Sequence, residues 1–386
     1  MKVLVVLDSF YPNVDGPIEV VVSVAKKFKE KGFGEMELLV PSYPETVEVD
    51  GIKINRVISV PAGDGYRGAL PALSAGVKKL IKKGGFDIIH LHSPFTLGRY
   101  ALKIGHKCGL PVIFTMHTKF RDEFQRRLKS RLLQKFMMRY IMGCINRCDV
   151  VTTVSQGTVD TLGEYGYKNT ASVKVIRNAT SMPPSAADTK KTAELKSSFA
   201  ENGEIIFSYV GRLAQTKNIQ FSLKVLAEVK KRGYGNFKFV IVGSGDYGRT
   251  LKKLTEELNL TENVIFAGKI TDKKLLACYY SAFDALLFPS VFDNASIVIL
   301  EAAANSLPVI TYKGSCSAEK ITNGESGFVW DNDADVWTEN LIKLINEPDL
   351  AKTAGEGARK HVYAGWDEIT EEYALLYADV LKERTR

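Results

Sequence analysis

Nowhere does the sequence hold an uncharged apolar run of the roughly 20 residues that a membrane-spanning helix needs. The opening MKVLVVLDSF has only Val3 to Leu7 as an apolar stretch, ended by Asp8. That is shorter than the apolar region of a secretory leader and reads as a first buried strand. The expectation is a chain neither exported by that route nor integral to a bilayer. Cysteine is scarce and odd in number, with Cys108, Cys144, Cys148, Cys278 and Cys316 scattered along the chain. Such a set gives no disulfide framework, and Cys144 and Cys148 lack the second pair that a zinc site requires. Reduced thiols in a cytoplasmic protein are the expected state.

What is present is bulk and an uneven charge. A chain of 386 residues is too long for one hydrophobic core, so two domains are expected. Apolar content of 45% and charged content of 25% are those of an ordinary globular protein. The formal charge of +8 is concentrated: residues 1–180 carry 27 basic against 16 acidic side chains, the rest 25 against 28. A polyanionic partner is therefore expected for the first half only.

Both halves alternate β-branched apolar runs with helical stretches. KVLVVLD, MELLVPS, DIIHLHS, PVIFTMHT, VVTTVS and SVKVIRN are the runs of the first half. The second has EIIFSYVGR, FKFVIVGSGD, VIFAGKI, ALLFPS and PVITYKG. Continuously apolar strands separated by helices predict parallel sheets covered on both faces, hence two doubly wound α/β domains. Between them NATSMPPSAADTKK has the composition of a linker. The expected division is 1–180, 181–365 and a final helix over 366–386, with Trp366, Ile369, Tyr373, Leu376, Tyr377 and Val380 on one stripe. Ligands in such sheets bind at the carboxyl ends of strands, so a cleft between the two domains is the expected site.

Four segments carry candidate chemistry. In YVGRLAQTKNIQ, Arg212 and Lys217 follow a strand and lead into a helix, an arrangement that can clamp a pyrophosphate or simply be a solvated loop. In FVIVGSGDYGRTLKKL, Gly243 and Gly245 either let a phosphate approach the backbone or form a plain tight turn. His117 ends PVIFTMHTKF, where an imidazole can meet a sugar or fill a structural place; His90 and His92 end a neighbouring run, and nothing separates the three. No carboxylate or Cys falls at ligand spacing beside them, so no metal is expected.

The fourth segment, VFDNASIVILEAAANSLPVI, places Asp293 and Glu301 eight positions apart around apolar residues. The composition predicts a helix buried on nearly every side. A carboxylate there needs donors. Adjacent ribose hydroxyls would serve Glu301, and hydroxyls of a sugar would serve Asp293; a buried ion pair with Lys or Arg is the competing reading.

Taken together these stretches resemble the glycosyltransferases of family 4, retaining enzymes with two facing Rossmann-like domains (the GT-B architecture). Asp293-x7-Glu301 is similar to the family's Glu-x7-Glu, YVGRLAQTKNI to its G-R-L-x-x-x-K, and GSCSAEKITNGESGFVW to its closing glycine-rich stretch. FDALLFPS, VIRNA and the helix after Trp366 resemble further family segments. The resemblance implies that Arg212 and Lys217 hold the donor diphosphate, Glu301 the ribose and Asp293 the transferred sugar. It implies backbone contacts of Ser296 and Ile297 with phosphate or sugar, and of Lys269 and Ile270 with the base. His117 would lie beside the reacting sugar, and Gly16 would let a first-domain loop approach. Departures are Asp293 for Glu, Thr216 for an acid, and Ser296 and Ser306 for glycines. No cofactor or metal is implied, the nucleoside-diphosphate sugar being substrate, with UDP-glucose the first expectation.

KFRDEFQRRLKSRLLQKFMMRYIMG, residues 119–143, has eight basic residues against two acids, with Phe120, Phe124, Leu128, Leu132, Phe136 and Tyr140 every fourth residue. One reading is a helix on an anionic membrane, with Arg126, Arg127 and Lys129 at the contact; the other is a helix packed on its own domain. HLHSPFTLGRYAL also resembles the family's diacylglycerol and phosphatidylinositol glycosyltransferases. No nucleic-acid motif is present, and nucleic acid is not an expected partner. A hexosyltransferase in the cytoplasm, peripheral on the inner membrane face and acting on a lipid hydroxyl, is the leading expectation. A soluble enzyme of capsular or cell-surface polysaccharide synthesis, a sugar-nucleotide epimerase and a silent nucleotide-sugar-binding protein are the alternatives.

Overall fold

A computed structural model of the chain describes residues 1–13, 15–63, 65–184, 186–201, 203–290 and 293–384. The chain divides into two compact units, one formed by Met1–Asn178 together with the chain from Trp366 onward, the other by Ala179–Gly365.

The first unit is built on a seven-stranded parallel sheet. Its spatial order runs Lys53–Val57, Glu35–Pro41, Lys2–Val6, Ile88–Leu91, Val112–Met116, Val150–Thr153 and Lys174–Val175. The central strands are buried along their length because helices cover both faces. Helix Gly16–Glu30 turns Ile18, Val20, Val21, Val24, Ala25 and Phe28 inward, and Pro17 sits in its first turn, where a missing N–H costs nothing. The C-terminal helix Trp366–Arg384 belongs to this unit and buries all six residues of its stripe. Phe28 meets Tyr377 edge-on at 5.9 Å, and Lys31 pairs with Glu371 at 2.8 Å on the rim.

The second unit has a six-stranded parallel sheet: Val264–Gly268, Phe237–Val242, Ile205–Val210, Ala285–Leu287, Val309–Tyr312 and Phe328–Trp330. In chain order this is the 3-2-1-4-5-6 arrangement of a doubly wound nucleotide-binding domain. Trp337 anchors one face, edge-on to Phe221 at 5.2 Å and to Trp330 at 5.4 Å.

Three sequence expectations change. The segment over 119–143 is two helices, Phe120–Arg127 and Arg131–Ile145, broken at Leu128–Ser130. Phe120 and Phe124 are buried in the core, whereas Leu132 is 81% and Phe136 63% exposed, so the predicted stripe is not one surface. The presumed linker is held rather than loose. Ala179, Thr180 and Met182 are buried, and the Thr180 N–H donates to the Ala364 carbonyl at 3.0 Å. Finally, strand Lys53–Val57, the antiparallel hairpin Ser59–Gly63 with Tyr66–Ala69, and strand Phe328–Trp330 were not predicted.

Candidate active site

In the second unit the candidate residues gather past the carboxyl ends of neighbouring strands. Strand Ile205–Val210 leaves through Gly211, and a short turn Gln215–Lys217 brings the chain to helix Ile219–Lys231. The Gly211 and Leu213 N–H groups donate to the Val242 and Ser244 carbonyls, stitching this loop to the next one. That stitching explains the glycine pair. A Cβ on Gly243 would stand 1.8 Å from the Gly211 carbonyl oxygen, and one on Gly245 2.3 Å from that of Leu213. Close backbone packing thus accounts for both glycines, which is the tight-turn reading.

The loop presents Arg212 outward, and among the described residues its guanidinium has no ion-pair partner. The buried Tyr209 hydroxyl donates to the Arg212 carbonyl at 3.1 Å and fixes the loop from below. Lys217 turns to Asp293, Nζ to Oδ1 2.6 Å, with the side chains 27% and 16% exposed. The second carboxylate oxygen of Asp293, Oδ2, is buried and finds no partner among the described residues. Burial, and after it the Asp293 charge, pushes the Tyr209 phenol above its usual value, keeping it a neutral donor.

Glu301 lies on helix Ile297–Ala304, which buries Ile299, Ala302, Ala303 and Ala304. Its remaining face, Glu301 included, is only half-buried, which corrects the expectation of a helix enclosed on nearly every side. The hydroxyl of the fully buried Tyr280 donates to Glu301 Oε2 at 2.9 Å. Burial first, and then the Glu301 charge, pushes the Tyr280 phenol up. Ser296 precedes this helix without its side chain capping it, and Ile297 is the first helical residue. Lys269 is exposed just beyond strand Val264–Gly268, and Ile270 packs partly on the core. Tyr209 and Tyr280 were not singled out from the sequence; buried tyrosines three residues before Arg212 and on a neighbouring helix leave no local signal.

The first unit holds the remaining candidates. Gly16 opens helix Gly16–Glu30, and an added Cβ would meet nothing within 4 Å, so packing does not require the glycine. The three histidines, equivalent in sequence, separate in space. His90 is fully buried and structural: Nδ1 meets the Tyr377 hydroxyl and Nε2 the Thr115 hydroxyl, both at 2.7 Å. His92 Nδ1 and His117 Nε2 are 2.8 Å apart. Burial holds His90 down at about 3 and His117 at about 4, and His92 well below the usual histidine value, so all three rings are neutral at pH 7. Asp8, read from sequence only as the end of an apolar run, caps the helix Thr96–Lys107. It accepts from the Leu97, Phe95 and Gly98 N–H groups at 2.8, 3.2 and 3.4 Å. Burial nonetheless raises its carboxyl to about 6. Among the described residues no cluster of His, Cys, Asp and Glu is arranged to hold a metal ion.

Of the basic residues assigned to a membrane, Arg126 and Arg127 both pair with Glu123, and Arg127 also lies over the Tyr66 ring. Lys129 is exposed in the break between the helices. The uncommitted surface is the next helix, where exposed Leu132, Leu133 and Phe136 alternate with exposed Arg131, Lys135 and Arg139. No helix among the described residues is long and apolar enough to cross a membrane.

Two family models match the two units in turn. Glycosyltransferase Family 4 matches residues 14–181, and Glycosyl transferases group 1 matches residues 190–361. The chain is a family 4 glycosyltransferase of the GT-B type. This glycosyltransferase is 26% identical over 361 residues to alpha-monoglucosyldiacylglycerol synthase of Streptococcus pneumoniae, covering 91% of this chain and 80% of that one. Its fold is similar to that of sucrose-phosphate synthase from Thermosynechococcus elongatus, with a TM-score of 0.76, 20% identity and 99% of each chain covered. It is also similar to Anabaena HepE, solved in complex with UDP-glucose, with a TM-score of 0.73, 17% identity, and 99% and 100% of the chains covered.

Proposed function

We propose that this glycosyltransferase moves a glucosyl group from UDP-glucose to a hydroxyl of diacylglycerol at the cytoplasmic face of a membrane, with the anomeric configuration retained. The observation that carries the donor half is Asp293: one oxygen is neutralised by Lys217 at 2.6 Å, and the other is buried with no partner among the described residues. A buried acceptor oxygen without a donor calls for one, and a sugar hydroxyl supplies it. Arg212, exposed and without an ion-pair partner among the described residues, takes the diphosphate with Lys217. Glu301, steadied by Tyr280, accepts from the ribose hydroxyls. Backbone at Lys269 and Ile270 meets the base, and backbone at Ser296 and Ile297 meets phosphate or sugar. Gly243 keeps the donor loop compact. In the first unit, Gly16 leaves room for the approach of donor and acceptor, and His117 is the imidazole assigned to the transferred sugar.

The bond from the anomeric carbon to the diphosphate oxygen breaks as the bond to the acceptor oxygen forms on the same face. The leaving phosphate takes the acceptor's proton, so no protein nucleophile is used. Cations and helix N–H groups fixed in place stabilise the charge that develops on the leaving group, without a metal or cofactor. The glucosyl and diacylglycerol assignments lean on the relative from Streptococcus pneumoniae, whose name joins the two. The apolar and basic helix Arg131–Ile145 supports a peripheral contact with an anionic bilayer. Incubation with UDP-glucose and dioleoylglycerol, followed by proton NMR of the glycolipid, tests the proposal. An α-linked product is expected; a β-linked product would end the retaining assignment, and transfer only to water-soluble glycans would end the lipid one.

A further inference from the structure

Three imidazoles stand in series at the carboxyl ends of two adjacent strands, Ile88–Leu91 and Val112–Met116. The His90 and His92 ring centroids are 4.2 Å apart, and those of His92 and His117 are 5.1 Å apart and nearly parallel. The inner ring is fastened on both nitrogens, to Tyr377 of the C-terminal helix and to Thr115, which in turn bonds Thr152 at 2.6 Å. The middle ring, His92, is 7% exposed and is held between a fixed ring and His117.

The contact between His92 and His117 is nitrogen to nitrogen, at 2.8 Å. Two neutral imidazoles carry one N–H each, so one ring donates here and the other accepts. The two tautomers are thereby locked together: if His92 carries its proton on Nδ1, His117 must carry its own on Nδ1, and if His117 donates from Nε2, His92 is protonated on Nε2. Either way His117 can neither flip its ring nor change tautomer without breaking this bond.

We propose that His92 is a positioning residue for glycosyl transfer, fixing the ring orientation and tautomer of His117 through their ring-to-ring hydrogen bond. The inference rests on the transferase reading, in which His117 meets the transferred sugar. His92 then acts on the reaction through His117 and does not itself touch substrate. Misplacement of a sugar-contacting group by a fraction of an ångström slows the chemical step more than it weakens donor binding.

The test uses the full chain labelled with ring ¹⁵N-histidine, with UDP release from UDP-glucose measured on phosphatidylglycerol vesicles containing dioleoylglycerol. In the wild type His117 is expected to show one tautomer, and in His92→Phe the shifts of a tautomer mixture. The same variant should lose kcat by about 10- to 100-fold while KM for UDP-glucose stays within about two-fold. His92→Asn, which restores a donor and an acceptor near the Nδ1 position, should recover most of the loss. Should the Phe variant not fold, His92→Gln, whose amide lies one bond farther out, serves as the displaced partner. Unchanged His117 shifts, or an unchanged kcat, would overturn the proposal. If the wild type turns over no UDP-glucose, the UDP-glucose reading is what fails, and the ring spectra still decide whether His92 sets the His117 ring.

Discussion

Lys217 Nζ stands 2.6 Å from Asp293 Oδ1, so two residues with different assignments, diphosphate and sugar, are bonded to each other. Removing either one leaves the other uncompensated in a half-buried setting. Lys217→Ala is therefore expected to lower turnover by about 10²-fold, the scale for loss of one fixed charge-stabilising group. In a double-mutant cycle with Asp293→Asn the two effects should fall well short of additive. Full additivity would show that the pair does not act as a unit.

Glu301 accepts from the Tyr280 hydroxyl at 2.9 Å, which holds its carboxylate in place on helix Ile297–Ala304. Glu301→Gln should raise KM for UDP-glucose about ten-fold, the loss of one charge-assisted hydrogen bond, with a smaller change in kcat. Tyr280→Phe should reproduce part of that increase, because the carboxylate loses its support. An unchanged KM in both variants would remove Glu301 from the donor site.

The membrane contact is expected on the second of the two basic helices. Leu132 and Phe136 are 81% and 63% exposed, whereas Arg126 and Arg127 are committed to Glu123. Leu132→Ser with Phe136→Ser should reduce co-sedimentation with anionic vesicles more than Arg126→Ser with Arg127→Ser, and should spare the binding of soluble UDP-glucose. Equal losses in the two pairs would return the contact to the first helix.

Acid should loosen the first unit. His90 and His117 are held at about 3 and about 4 in the folded chain, below the ordinary 6.5. The unfolded chain then binds more protons, so stability present above pH 6.5 is lost as pH falls toward 4, by about 1.4 kcal/mol per pH unit for each ring. Asp8 acts with the opposite sign: raised from 3.8 to about 6, it removes stability as pH rises between those values. Asp8→Asn should therefore steepen the acid loss of the first unit's calorimetric transition between pH 6 and pH 4. A shallower loss would contradict the burial assigned to Asp8.

Ser306 occupies the left-handed region at φ 55°, where the family has glycine. A Cβ there costs about 1 kcal/mol, and an introduced glycine relieves it. Ser306→Gly should raise the second unit's stability by about 0.5–1 kcal/mol in urea unfolding. A loss of stability would mean that the serine side chain supports its turn.

The two doubly wound sheets were legible because their central strands, such as Val112–Met116 and Phe237–Val242, are apolar almost throughout, a signature of burial on both faces. Strand Lys53–Val57 escaped notice because it lies at a sheet edge, where KINRV is free to mix charge with apolar residues. Phe328–Trp330 is only three residues long, below the length at which a pattern emerges. The candidate site was legible in its charged members, Arg212, Lys217, Asp293 and Glu301. Their partners were not. Nothing local pairs Tyr280 with Glu301, or tells His90, anchored by Tyr377 nearly three hundred residues away, from His92 and His117. The break at Leu128–Ser130 was likewise hidden, because Leu128 keeps the four-residue apolar spacing while the backbone leaves the helix.

The proposed reaction is glucosyl transfer to a lipid hydroxyl through the site around Lys217, Asp293 and Glu301. Its most direct test is UDP release from UDP-glucose, beside UDP-galactose, UDP-N-acetylglucosamine and GDP-mannose, on anionic vesicles with and without diacylglycerol. The expected result is release from UDP-glucose that rises when diacylglycerol is added and that falls in Glu301→Gln at UDP-glucose concentrations below its raised KM. Release indifferent to diacylglycerol, or turnover of another donor in place of UDP-glucose, would contradict it.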